Sequence, residues 1–122
     1  MAQYLLSVHT VEGESREPMT DEQMQELMRR VGELEAEMKS NDVLVYSGRL
    51  AESDAATVVR VEGDETLTTD GPFAEAKEHL GGFYIINSAD LDEALSWASK
   101  TSDCVRRPIE VRPFFEIGRA HV

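Results

Sequence analysis

The chain has 122 residues, 41% hydrophobic and 7% aromatic, with 24 acidic against 12 basic side chains and a formal net charge of −12. That length fits one domain with its own core, and the acidity argues against a nucleic-acid partner, whose phosphates are bound by displacing counterions with Lys and Arg. No apolar run approaches the roughly 20 residues needed to cross a bilayer, and a lone Cys104 excludes an internal disulfide and any multi-cysteine metal site.

The N-terminal "MAQYLLSVHT" has no basic segment before its apolar stretch and no small-residue cleavage site. It reads as a first strand rather than a signal peptide, which implies a cytoplasmic protein. Within residues 3–9, Tyr4, Leu6 and Val8 alternate with Leu5, Ser7 and His9, so the two sets face opposite sides of a sheet. After a polar loop, Thr20 and Gln23 have the spacing of a capping box, and Met24, Leu27, Met28, Val31, Leu34 and Met38 recur every three or four residues. This is an amphipathic helix that ends at Asn41 and Asp42.

"VLVYSG" supplies a second strand, and "AATVVRVEG" with "ETLTTD" a hairpin turned through Glu62, Gly63 and Asp64. "GFYIINS" is the next strand. Asp90 and Glu93 again have capping-box spacing, and Leu91, Ala94, Leu95 and Ala98 form the stripe of a second helix, with Trp97 expected at its edge and partly buried. "IEVRPFFEI" closes the pattern as a strand that Pro113 assigns to an edge or a bulged end. The order is β-α-β, a hairpin, then β-α-β. Two helices striped on one side cover one face of an antiparallel sheet, which predicts an α+β, ferredoxin-like sandwich with an added β-hairpin. The other face, expected to carry Leu5 and Val58 or Val59, calls for a second copy of the chain in a symmetric homodimer.

Chemistry concentrates in "TTDGPFAEAKEHLGGFYII", residues 68–86. Pro72 biases Gly71 toward an extended conformation and Gly71 tolerates angles closed to other residues, so a fixed turn follows Asp70. Asp70 serves there either as a turn residue, accepting backbone N–H bonds, or as a general base at the mouth of a cavity. His79 is a second titrating group, capable of relaying protons with Asp70 or Glu78. His9 and Ser7 share the face away from the helices, where Arg60, Glu110 and Arg112 offer an internal ion pair or an anion site. There is no phosphate-binding glycine loop, nucleophile elbow or zinc-binding helix, so neither metal nor cofactor is expected.

The residues Asp70-Gly71-Pro72-Phe73, followed by "AEAKEHLGGFYII", "ADLDEALSWA" and "IEVRPF" and preceded by "QYLLSVH", resemble the YCII-related proteins, specifically their Asp-Gly-Pro-Phe (DGPF) branch. The resemblance covers nearly the whole chain and implies a dimeric α/β-barrel built on a ferredoxin-like unit. It also implies two functional classes. One binds or transforms a small polar organic molecule by acid/base chemistry; of its site only the Asp70-Gly71-Pro72-Phe73 segment carries over, and joined to the strand reading above it gives Asp70 and His9 as catalytic candidates and Ser7, Gly71, Pro72, Phe73 and His79 as ligand-binding candidates. The other is a non-catalytic accessory module with a sigma-factor-related protein partner in transcription regulation. Enzymatic relatives pair a first-helix His with an Asp, whereas "DEQMQELMRRVGELEAEMK" contains no His. The tail "IGRAHV" has no counterpart in the family, so residues 1–116 are expected to form the domain and 117–122 a non-native or disordered tail.

Overall fold

The computed structural model describes residues 2–11, 18–73 and 76–115; the expectation for the tail 117–122 lies outside them. The elements are β1 (Ala2–Val11), α1 (Asp21–Ser40), β2 (Leu44–Arg49), β3 (Thr57–Glu62), β4 (Glu65–Asp70), β5 (Glu78–Ser88), α2 (Leu91–Val105) and β6 (Ile109–Pro113). A short 3-10 turn, Ser53–Ala55, leads into β3. β2, β5, β1 and β6 form a four-stranded sheet in that order, with antiparallel neighbours throughout. This arrangement is compatible with a ferredoxin-like α+β fold.

Both helix starts are fixed by the expected caps. Thr20 Oγ1 accepts from Gln23 N at 3.1 Å, and Thr20 N donates to Gln23 Oε1 at 2.9 Å. Asp90 Oδ1 accepts from Glu93 N at 2.8 Å, while Glu93 reaches past the cap to accept from Ala89 N at 3.0 Å. These bonds satisfy donors that a helix start otherwise leaves unpaired. In the hairpin, Glu62 pairs with Glu65, so Gly63 and Asp64 are the whole turn. Gly63 has φ +61° and is the one turn residue in the left-handed region, the pattern of a type II′ turn that matches strand twist.

β1 and β5 pair Tyr4 with Ile86 and Leu6 with Tyr84. All four are buried, and with Leu34, Met38, Ala94, Trp97, Ala98 and Cys104 they form the core between sheet and helices. The opposite face of the same strands presents Leu5, Phe83 and Ile85, all half-buried. Helix α1 is buried in its second half only: Leu34 and Met38 are buried, yet Met24 and Met28 near its start are exposed. An ion pair between Lys100 and Glu37 ties α2 to α1, and the Lys100 ammonium lies 4.9 Å from the centroid of the Trp97 ring.

Two expectations are corrected. The β3–β4 hairpin forms its own two-stranded sheet, so Val58, Val59 and Arg60 do not share the helix-free face with Leu5. The buried stripe of α2 is Ala94, Trp97, Ala98, Thr101 and Cys104, with Leu91 and Leu95 exposed. Trp97 is therefore a core residue. Leu91, Leu95 and Ala98 also have helical spacing, but the large ring at 97, flanked by small alanines at 94 and 98, fits closest to the sheet. Trp97→Ala should cost about 3–5 kcal/mol in urea unfolding and Leu95→Ala under about 1 kcal/mol; equal losses would contradict this assignment.

Candidate functional site

The residues singled out from the sequence fall into three places. Asp70 ends β4, is exposed, and pairs through its backbone with Thr57. The turn after it is held by the backbone, with Gly71 N donating to Ala56 O at 2.7 Å and a cis peptide before Pro72. Gly71 has no positive φ, and a Cβ there would lie 3.1 Å from both Ala56 Cβ and Ala56 O, so a side chain needs Ala56 to give by a few tenths of an ångström. Phe73 projects with 61% of its surface exposed.

His9 and Ser7 lie together on the helix-free face of β1. Ser7 sits between Phe83 and Glu110 on the neighbouring strands and is 1% exposed, and its Oγ has no hydrogen-bond partner among the described residues. The His9 carbonyl accepts from Arg107 Nη1 at 3.3 Å. Glu110 and Arg112 share that face and bond to each other at 2.8 Å. A register shift in the β1–β5 pair sets His9 opposite Leu80 and Thr10 opposite His79. Consecutive residues of a strand point to opposite faces, so His9 and His79 do not converge. Among the described residues, no hydrogen bond or ion pair joins Asp70 to His9, Ser7 or His79.

A different group of polar side chains does converge, on the helix side of the sheet. Ser47 of β2 and Tyr84 of β5 are cross-strand neighbours, and both hydroxyls donate to the Glu35 carboxylate of α1, Ser47 Oγ to Oε1 at 3.3 Å and Tyr84 Oη to Oε2 at 3.4 Å. Both contacts are long for O–H···O bonds, so the carboxylate is held loosely. Burial, then the nearby charges of Glu35 and Cys104, then the bond to Glu35, raise the Tyr84 phenol well above its ordinary value. Tyr84 thus stays a donor at neutral pH. Burial likewise pushes up the Cys104 thiol, opposed by the charge of Arg30 and assisted by Asp103 and Glu35. Elsewhere on α1, the Arg30 Nε is buried and has no hydrogen-bond partner among the described residues.

Two features bring these groups together, and only one has a sequence signal. Glu35 is four residues after Val31 and three before Met38, so it lies on the apolar stripe of α1, where a carboxylate is out of place. Ser47 depends on a register shift between Leu44 and Tyr46. Unbroken alternation from Leu44 would turn Tyr46 toward the helices and Ser47 away from them; the shift reverses both.

The profile of the YCII-related domain matches residues 2–117. A protein of Rhizobium meliloti (strain 1021), described as uncharacterized, is 48% identical over 67 residues. That alignment covers 53% of this chain and 54% of the relative, so the chain spans about half the length of the curated relative it matches.

The Tyr84 environment predicts a pH dependence. A group whose pKa is higher in the folded than in the unfolded chain stabilises the fold below the ordinary value and loses that contribution as pH rises through the folded one. For Tyr84 the loss begins near the ordinary phenol value of 10.0. The urea midpoint of the native chain should therefore fall more steeply above that pH than that of Tyr84→Phe; parallel curves would contradict the assignment.

Proposed function

This chain belongs to the YCII-related family, and from that premise we propose that it acts as a homodimer on a small polar organic molecule, moving a proton with Glu35 as the base. The carrying observation is the seat of Glu35. Its carboxylate lies half-buried at the seam of α1 and the sheet, loosely bonded to two hydroxyls. In the chemistry this supports, the carboxylate removes a proton from carbon next to a carbonyl. Tyr84 or Ser47 turns its O–H from Glu35 to the carbonyl oxygen as that oxygen gains charge, and Glu35 then returns the proton.

The homodimer is supported by the helix-free sheet face. Leu5, Phe83 and Ile85 are half-buried there and Tyr46 is 61% exposed, its ring 6.1 Å from that of Phe83. Copies carrying a net charge of −12 repel one another over most of their surface. On this face the charged side chains Glu110 and Arg112 neutralise each other, so a second copy is the occupant that fits its apolar character and its charge balance.

Exchange of the carbon-bound protons of hydroxyacetone for deuterium, followed by proton NMR, tests the chemistry with a neutral probe. The native chain and Asp70→Asn should both accelerate exchange, and Glu35→Gln should lose about two orders of magnitude of that acceleration. Acceleration retained in Glu35→Gln, or lost in Asp70→Asn with the fold intact, would overturn the assignment of the base.

A further inference from the structure

The β3–β4 hairpin is a complete ladder with no layer packed on it. Every residue from Thr57 to Glu62 has a cross-strand partner between Asp70 and Glu65, in a sheet of two strands only. All of these residues are exposed except Val58, which is half-buried. A lone two-stranded hairpin is marginally stable in water and needs a further strand or a packing surface. Its exposure shows that no described part of the same chain supplies one.

Residues directly opposite each other share a face, and the two faces differ. One mixes Arg60, Glu62 and Glu65 with Val58 and Leu67. The other carries Thr57, Val59, Val61, Thr66 and Thr68, β-branched throughout, with Asp70 at its base. Val59 and Val61 are 60% and 66% exposed there. Such a face suits packing against a second sheet.

The hairpin is rooted on the ribbon formed by β2 and β5. That ribbon stays paired as far as Leu50 N, which donates to Gly81 O at 2.8 Å, and pairing resumes where Gly71 N donates to Ala56 O at 2.7 Å. The six residues of each strand make an arm roughly 20 Å long at about 3.3 Å per residue. Along β2 the exposed apolar surface of the helix-free face leads toward its root. The Phe83 ring is seated on Gly48, where a Cβ would stand 2.9 Å from it, Tyr46 lies beside it, and by alternation the exposed Leu50 follows on the same side.

The helix-free faces are too small to hold two copies by themselves. Four strands about five residues long have a footprint of roughly 300 Å² per copy, which leaves their total well below the roughly 1,200 Å² at which stable interfaces begin. Two arms, each with a footprint of roughly 200 Å² and each covering as much of the other copy, more than double it. Charge favours the same occupant. The acidic tip, Glu62, Asp64 and Glu65, repels an anionic membrane or a nucleic acid, whereas the β-branched face, uncharged apart from Asp70, meets another chain of net charge −12 with little added repulsion.

We infer that the β3–β4 arm clasps the second copy of the homodimer through its Val59 and Val61 face, and that this contact keeps the hairpin ladder closed. The inference rests on the homodimer reading and gives that dimer a second contact surface.

Analytical ultracentrifugation and hydrogen exchange of the full chain test it. The double variant Val59→Thr, Val61→Thr keeps the β-branched shape and strand preference and removes apolar contact. It should weaken dimerisation about a hundredfold, because two copies lose both positions, while Leu67→Thr on the other face should change it less than about threefold. Amides of the β3–β4 ladder should be protected above the dissociation constant and exchange near the unfolded rate after dilution below it, with the β1–β5 ladder protected throughout. Native-like dimerisation of the double variant, an equal loss in Leu67→Thr, arm amides unprotected in the dimer, or arm amides still protected in the monomer would overturn the inference. Ile85→Thr reads the helix-free face separately, with far-UV circular dichroism confirming the fold of each variant. If Ile85→Thr dimerises as the native chain does while the double variant does not, the clasp stands and the role of the helix-free face fails; the reverse result removes the clasp and leaves the face. A native chain that is monomeric at millimolar concentration overturns both.

Discussion

Two helices of this chain cover one face of a four-stranded sheet, and most of what is distinctive about the molecule follows from that one-sided cover. Leu6, Ile86 and Met38 are completely removed from solvent on the covered side, and each fully buried side chain of that size contributes roughly 1.5–3 kcal/mol. The opposite face keeps Leu5, Phe83 and Ile85 half-buried and a Ser7 hydroxyl without a described partner. Sheets of this kind divide their residues by strict alternation, so an apolar side chain on the uncovered face cannot be turned inward without moving its neighbours outward.

The covered side has a boundary, and polar chemistry gathers there. Leu34 and Met38 sit in the core while Met24 and Met28 of the same helix remain exposed; Arg30 and Glu35 lie along the stretch where burial sets in. A carboxylate at such a seam gives up hydration for two long hydroxyl contacts, a poor exchange for stability alone. Its side chain is thereby kept partly desolvated and weakly engaged, a condition that suits proton transfer. Asp70 offers the reverse: it is exposed, and backbone bonds hold the turn that follows it.

The parts of the fold governed by local rules were legible in the sequence. Thr20 and Asp90 cap their helices because their neighbours three residues on supply the bonded N–H groups, and Gly63 turns the hairpin because it takes a positive φ without strain. What escaped depended on distant packing. The α2 pattern admits two overlapping stripes, and only the fit against Ala94, Trp97, Ala98 and the sheet selects between them. The hairpin strands resembled sheet strands in composition, but no periodicity says whether a hairpin joins a neighbouring sheet. At the site, Glu35 left a trace as a charge on an apolar stripe, whereas Ser47 needed the β2 register shift, and Tyr84 carried no signal beyond its place in the strand "GFYIINS". Asp-Gly-Pro-Phe drew attention as a compact motif, yet its glycine has no positive φ and stands close against Ala56.

The covered face of the sheet builds the core, and the proposed homodimer assigns association to the uncovered one. An isotope-filtered NOE experiment on a mixture of carbon-13-labelled and unlabelled chains reads it atom by atom. Intermolecular contacts are predicted at the methyl groups of Leu5 and Ile85 and at the rings of Tyr46 and Phe83. Contacts confined to the helix layer, at Met24, Met28, Leu91 or Leu95, or no intermolecular contacts at all, would contradict it.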